Sequence, residues 1–250
     1  MRTVMLIGIG AGDPEYMTVQ AVAALNRADV LFVLEKADEQ ADLIALRREL
    51  VERFVSGEPP RVVAVPDPPR SRGDTPAAQR AAVAEWRQQR VELCARLVSE
   101  ELADDDAGAF LIWGDPALYD GMIDVLDTID SVAFDVDVIP GIGAPAALAA
   151  RHRIPLNRPG GAVLITTGRR VAAGLPDDVE DVVVMLDGDL AFRGVGDDFD
   201  IYWGAYLGTP DEILVAGRVR DVEDEIARER AAARERKGWM FDTYLLRRRH

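Results

Sequence analysis

Residues 4–18 read VMLIGIGAGDPEYMT, and the order of residue types in this stretch decides the fold. Val4, Met5, Leu6 and Ile7 form an unbroken apolar run. So short and dense a run predicts a strand buried on both faces. Gly8, Gly10 and Gly12 then alternate through a turn, Asp13-Pro14 follows, and Thr18 stands as an N-cap before an apolar-periodic segment. Strand, glycine loop and helix, in that order, present backbone N–H groups to a ligand at the carboxyl edge of a sheet. The spacing approaches the G-x-G-x-x-G of dinucleotide folds, but Asp13 fills the third glycine slot and would set a carboxylate against a pyrophosphate. Glu35 stands where such folds carry an acid after the second strand. NAD or FAD binding stays open as an alternative, as does a tight turn whose glycines serve geometry alone.

Working outward, four more strands are predicted in the first part of the chain: 30–34 (VLFVL), 61–65 (RVVAV), 109–113 (AFLIW) and 136–140 (VDVIP). They alternate with helical segments at 18–27, 38–55, 77–102 and 119–130, the pattern of a parallel sheet. The strand at 109–113 runs into Gly114-Asp115-Pro116, the second Gly-Asp-Pro after Gly12-Asp13-Pro14. Two such triplets, each following a buried strand, should share one edge of that sheet. A third small-residue loop, Gly141-Ile142-Gly143-Ala144-Pro145, leads into an Ala/Leu helix, with Pro145 in its first turn. The stretch 66–76, PDPPRSRGDTP, is a long loop carrying Arg70, Arg72 and Asp74. After a proline- and glycine-bearing linker at 154–161, five further strands are predicted at 162–167, 182–186, 201–207, 213–219 and 239–245, with a charged, solvent-facing helix over 221–236. The pattern predicts two α/β domains. Residues 1–143 are expected to hold a mostly parallel five-stranded sheet with the glycine loops, and residues 144–250 a mixed five-stranded sheet, with the active-site cleft between them.

Composition narrows the chemistry. A formal net charge of −15 over 250 residues argues against nucleic acid as a partner. Lys36 and Lys237 are the only lysines among the 29 basic residues, and the rest are arginine, whose planar fork matches carboxylates. Coding bias accounts for such a count as readily as a polycarboxylate ligand does. Cys94 is the single cysteine, so no intrachain disulfide forms, and its amphipathic segment suggests packing. His152 and His250 stand in no metal-ligand or triad spacing, and no metal site is expected. No apolar run reaches a membrane span, and no cleavable leader is evident, so a cytoplasmic protein is expected.

Together, GIGAGDPEYMT, WGDPALYDG and VIPGIGAPAALAA resemble the three signature loops of the tetrapyrrole (precorrin) methylases, in order and at sensible spacing. Val183-Val184-Met185-Leu186 and the stretch AYLGTPDE, 205–212, are similar to two later motifs of that family. The wording of the first loop, with LFVLEK downstream, is nearest the family's deacetylating branch in the cobalamin pathway. The resemblance implies S-adenosylmethionine as methyl donor, with S-adenosylhomocysteine as product. Carried over, its cofactor contacts are Ala11, Trp113, Gly114, Asp115, Leu118, Gly143, Ala144, Met185 and Leu207. It implies the tetrapyrrole precorrin-5 as substrate, methylated at ring carbon C1 with release of acetate, and a homodimer. Arg70, Arg72, Arg151, Arg153, Arg169 and Arg170 are candidates for the substrate's anionic arms. Asp13 and Tyr16 are the candidates for the deacetylation step, and Asp13 as a turn residue capping the next helix is the alternative. Ala11 stands where many members have proline, and Gly143-Ala144 where a hydroxyl residue is common. Because a sulfonium methyl is already activated, the protein's task is positioning, which suits a histidine-poor chain. Other readings are a family member acting at another ring carbon or on diphthamide, an NAD-dependent reductase, and a binding protein without turnover.

Overall fold

The computed structural model describes residues 1–35, 41–69, 71 and 74–249, with residues 41–43 and 76 described by their backbone alone. The chain forms two compact units, one of Met1–Gly10 with Pro14–Ile142, the other of Ala11–Asp13 with Gly143–His250.

In the first unit β1 (Thr3–Gly8), β2 (Val30–Glu35), β3 (Arg61–Pro66), β4 (Ala107–Ile112) and β5 (Asp135–Ile139) form one sheet in the order β3-β2-β4-β1-β5. Every pairing is parallel. Helices α1 (Val19–Leu25), α2 (Ala41–Phe54), α3 (Pro76–Glu101) and α4 (Met122–Asp127) connect the strands. β1 is interior to the sheet and covered on both faces. Val4 and Leu6 pack with Leu93, Cys94, Leu97 and Val98 of α3, while Met5 and Ile7 pack with Ala21, Ala24 and Leu25 of α1. None of the four exceeds 1% exposure, as an unbroken apolar run requires. Burial of each such side chain contributes about 1.5–3 kcal/mol. Thr18 caps α1, its Oγ1 accepting the Ala21 N–H at 3.0 Å. Thr75 caps α3 in the same way through Ala78 N–H at 3.1 Å, ahead of Pro76 in the first turn.

One element of this unit differs from expectation. The helix expected over 119–130 is reduced to α4, because Tyr119 (φ 57°) and Gly121 (φ 86°) take left-handed backbone that a right-handed helix cannot carry. β5 is an edge strand, and Asp135, Val136, Asp137 and Val138 are all exposed.

The second unit holds α5 (Ala144–His152), β6 (Val163–Thr167), α6 (Gly168–Ala172), β7 (Asp181–Met185), β8 (Phe199–Ala205), β9 (Ile213–Arg218), α7 (Val219–Lys237) and β10 (Asp242–Arg248). Its sheet runs β6-β7-β10-β8-β9, with β6 parallel to β7 and every other pairing antiparallel. The core is built on Val182, Val184, Ile201, Trp203, Tyr244 and Leu246. α7 buries only Val219, Ile226 and Ala233, one residue per two turns, so most of its charged residues face solvent as the charge run predicts, while Arg230 turns inward to Asp242. The last strand starts at Asp242 rather than 239: Gly238 ends α7 at φ 76°, and Trp239 stacks edge-on against Tyr206 and Phe241 instead of pairing. No described helix is long and apolar enough to cross a membrane.

Cys94 is fully buried, and desolvation pushes its thiol up to about 12 against the pull of Arg90. Native protein should therefore resist iodoacetamide at neutral pH and be alkylated fully in urea. Mass spectrometry checks this, and native alkylation as fast as the unfolded rate would contradict the packing.

Candidate functional site

Because β1 lies between β4 and β5, the three small-residue loops leave neighbouring strands at one carboxyl edge. They meet through main chain. Gly114 N–H donates to Gly10 O at 2.8 Å, and Gly10 N–H donates back to Gly114 O at 3.2 Å. Gly141 lies against Gly8 and the Gly114 carbonyl so closely that a Cβ at 141 would overlap that oxygen. Asp115 ties the second loop to the third. Its Oδ2 accepts Gly141 N–H at 2.9 Å, and its Oδ1 accepts Ala117 N–H at 2.8 Å. The aspartate of this Gly-Asp-Pro is thus a staple between loops. Trp113 and Leu118 are half-buried beside it. Tyr16, on the 3-10 turn Pro14–Tyr16, sets its Cβ directly over Gly10.

The tripeptide Ala11–Asp13 packs with the second unit. Gly12 takes φ 144°, and a Cβ there would overlap the Leu207 carbonyl oxygen. Ala11 is buried and Asp13 half-buried. The facing turn after β8 bends at Tyr206 (φ 49°) and Gly208 (φ 74°). Tyr206 OH donates to Trp239 O at 2.6 Å, and Thr209 Oγ1 donates to Tyr206 O at 2.8 Å. Glu212 Oε2 accepts Gly208 N–H at 2.8 Å. The same carboxylate receives Arg151 Nε at 2.7 and 2.9 Å. Arg151 lies in the last turn of α5, whose N-cap is Gly143, with no side-chain cap. His152 follows, its Nε2–H donating to Trp203 O at 3.0 Å. Burial holds the His152 pKa below its ordinary value, opposed by the Trp203 carbonyl and the charge of Glu212.

Met185 ends β7 half-buried, and Leu186 follows with φ 54° and 64% exposure. The buried Asp187 anchors this corner by accepting Asp189 N–H at 3.0 Å, Ala191 N–H at 2.7 Å and Tyr244 OH at 2.7 Å. Burial and the charge of Asp187 push the Tyr244 phenol up, so it stays protonated and donates.

A model of the Tetrapyrrole (Corrin/Porphyrin) Methylases matches residues 3–223. The chain belongs to this family. It is 47% identical over 251 residues to a precorrin-6A synthase (deacetylating) of Sinorhizobium sp, covering 99% of this chain and 95% of the relative. Among solved structures it is similar to a cobalamin synthesis related protein, CobF, from Corynebacterium diphtheriae, at a TM-score of 0.84 and 37% identity over 100% of both chains. A uroporphyrin-III C-methyltransferase of Thermus thermophilus, solved complexed with S-adenyl homocysteine, shares the fold at a TM-score of 0.55 and 19% identity, over 98% of this chain and 96% of that one. The family resemblance carried by the sequence motifs is therefore borne out. The dinucleotide fingerprint fails on local geometry as well, since a 3-10 turn intervenes and α1 starts only at Val19, well past the glycines.

For this tetrapyrrole methylase the structure gathers Trp113, Gly114, Asp115 and Leu118 with Tyr16 in the first unit. Ala11, Asp13, Gly143, Ala144, Met185 and Leu207 belong to the second. Of the candidate arginines, Arg151 is engaged by Glu212. Arg153 is exposed at the left-handed C-cap of α5, and Arg169 and Arg170 are exposed on α6. Arg70 and Arg72 lie outside the described residues. Glu212 and Leu186 stand inside the family-like motifs, yet sequence reasoning gives neither a role. An acid closing a Gly-Thr-Pro turn is the available signal for Glu212, whereas nothing in the sequence marks the backbone of Leu186.

Replacing Asp115 by Ala leaves the Gly141 and Ala117 N–H groups unpartnered and should cost about 1–3 kcal/mol. Urea unfolding measures it, and a loss below about 0.5 kcal/mol would contradict the staple. His152 contributes stability that is full above its unfolded pKa and lost as pH falls through its lower folded value. The stability of wild type relative to His152→Gln should therefore fall from about pH 7.5 to about pH 5, read as the difference in Tm.

Proposed function

We propose that this protein is an S-adenosylmethionine-dependent C-methyltransferase of corrin ring synthesis, a precorrin-6A synthase (deacetylating). It methylates precorrin-5 at C1 and releases the extruded acyl group as acetate. What carries this function is the 47% identity to the Sinorhizobium enzyme along 99% of the chain. In this reading the enzyme works in the cytoplasm as a homodimer, with neither nucleic acid nor membrane as partner.

The residues present suit the cofactor. At the carboxyl edge of β4-β1-β5 the loops approach so closely that Cβ atoms are excluded, so main chain rather than side chains forms that edge. Trp113, Gly114, Asp115, Leu118, Ala11, Gly143, Ala144, Met185 and Leu207 are the proposed cofactor contacts. When bound, the cofactor supplies a methyl group already activated on a sulfonium. Gly143 and Ala144 offer N–H groups at the start of α5, where no side chain caps the helix. Met185 and Leu207 would exclude water there, and the loops would hold the methyl donor in line with the reacting carbon. Arg153, Arg169 and Arg170, with Arg70, Arg72 and Arg151, are proposed to meet the acetate and propionate arms, Arg151 with its fork already shared with Glu212. For deacetylation, the water oxygen would bond to the ketone carbon as the water gives up its protons, and the bond from that carbon to the ring would break with its electron pair retained by the ring, so that acetate leaves. Asp13 orients that water, with Tyr16 beside it in role.

Purified precorrin-5 with S-adenosylmethionine should gain one methyl group and release acetate in step, followed by mass spectrometry. Methylation without acetate, or no product from precorrin-5, would overturn the assignment. Asp13→Asn should slow acetate release about tenfold or more while methylation continues. Undiminished acetate release would remove Asp13 from the mechanism.

A further inference from the structure

We propose that Glu212 is a positioning residue of the cofactor site, acting through the main chain of the turn at 206–209. The proposal rests on the S-adenosylmethionine reading above. Two non-standard conformations make this turn, Tyr206 at φ 49° and Gly208 at φ 74°. A non-glycine residue in left-handed backbone persists only where its surroundings hold it. The Tyr206 OH and the Thr209 hydroxyl hold the Tyr206 end. The Gly208 end is held by Glu212, which accepts Gly208 N–H, while its own N–H donates to Thr209 O at 3.1 Å. Leu207, between the two ends, turns its carbonyl onto Gly12, where there is no room for even a Cβ. Displacement of Leu207 is thus passed directly to Ala11–Asp13.

The same carboxylate also holds α5. Arg151 meets both oxygens of Glu212, and α5 is a helix running from Ala144 to His152. Glu212 therefore links three segments: the turn at Leu207, the tripeptide at 11–13 through the Leu207 carbonyl, and helix α5, which it grips at the last turn. Each contains residues proposed to contact the cofactor, and Glu212 itself is not among those contacts. The Glu212 side chain is 11% exposed, whereas that of Arg151 is 49% exposed. The ion pair is accordingly screened on the arginine side, and the geometry of the acceptor matters more than its charge.

The charge-neutral Glu212→Gln should keep an acceptor for Gly208 and bind S-adenosylhomocysteine within about threefold of wild type. Glu212→Ala should bind it about tenfold more weakly by calorimetry. Arg151→Ala should weaken binding less, and the double variant should be no weaker than Glu212→Ala alone, because one clamp is removed in both. Without ligand, the Gly208 amide should exchange faster in Glu212→Ala and stay protected in Glu212→Gln. A merely structural role would lower Tm but leave the affinity of folded protein and the Gly208 exchange unchanged, and that result would overturn the proposal. If Glu212→Ala does not fold, Arg151→Ala and Glu212→Gln decide: affinity unchanged in the first, or lost in the second, refutes the clamp. Failure of wild type to bind S-adenosylhomocysteine would overturn the cofactor reading and this proposal together. Wild-type binding with unaltered binding in the variants overturns the clamp alone.

Discussion

Gly8, Gly114 and Gly141 meet at a separation that excludes side chains, and the first unit is arranged to allow it. The contact requires β4, β1 and β5 to be neighbours and parallel, so that their carboxyl ends coincide. It requires β1 to be covered by helices on both faces, which its four consecutive apolar residues provide for. Close main-chain approach also creates an obligation, since N–H groups removed from water need acceptors. The Gly10–Gly114 bridge answers part of it, and the Asp115 carboxylate answers more by accepting from Gly141 and Ala117. The logic of Gly-Asp-Pro is therefore physical: glycine for approach, aspartate for the stranded amide, proline where no donor is wanted.

The Gly-Asp-Pro at 12–14 follows the same rule in one respect and departs from it in another. Gly12 again permits contact with a carbonyl, here that of Leu207, but the tripeptide at 11–13 belongs to the second unit although the strand before it belongs to the first. Its glycine serves packing within the second unit rather than phosphate approach. That explains why the fingerprint is defective as a dinucleotide motif without being defective as structure.

Most of what positions this site was legible in the sequence. The apolar run at 4–7, the cap at Thr18 and the three loops follow from local composition, because buried parallel strands and helix caps are specified by neighbouring residues. What escaped were features set by distant contacts. The shortening of α4 depends on left-handed backbone at Tyr119, which no tyrosine announces. The late start of β10 depends on Trp239 packing against Tyr206. Glu212 was visible as a residue but not as a link, because its partner Arg151 is 61 positions away.

The arginine-rich composition admits a structural account beside the ligand one. Buried carboxylates recur in both units, and arginine side chains meet several of them. Asp67 receives two bonds from Arg90, Asp181 one from Arg247, and Asp242 one from Arg230 together with the Trp203 indole. Burial raises the Asp242 pKa while Arg230 opposes it, so the guanidinium is what keeps that acid tolerable inside the fold. A compact ammonium satisfies such a carboxylate from one point, whereas a guanidinium can bridge a carboxylate and a carbonyl at once, as Arg230 does for Asp242 and the Asp187 carbonyl. A cation already serving a buried acid is poorly available to substrate. Among the described candidates, Arg153, Arg169 and Arg170 stand exposed while Arg151 is shared with Glu212, and the composition as a whole says less about the ligand than their placement does.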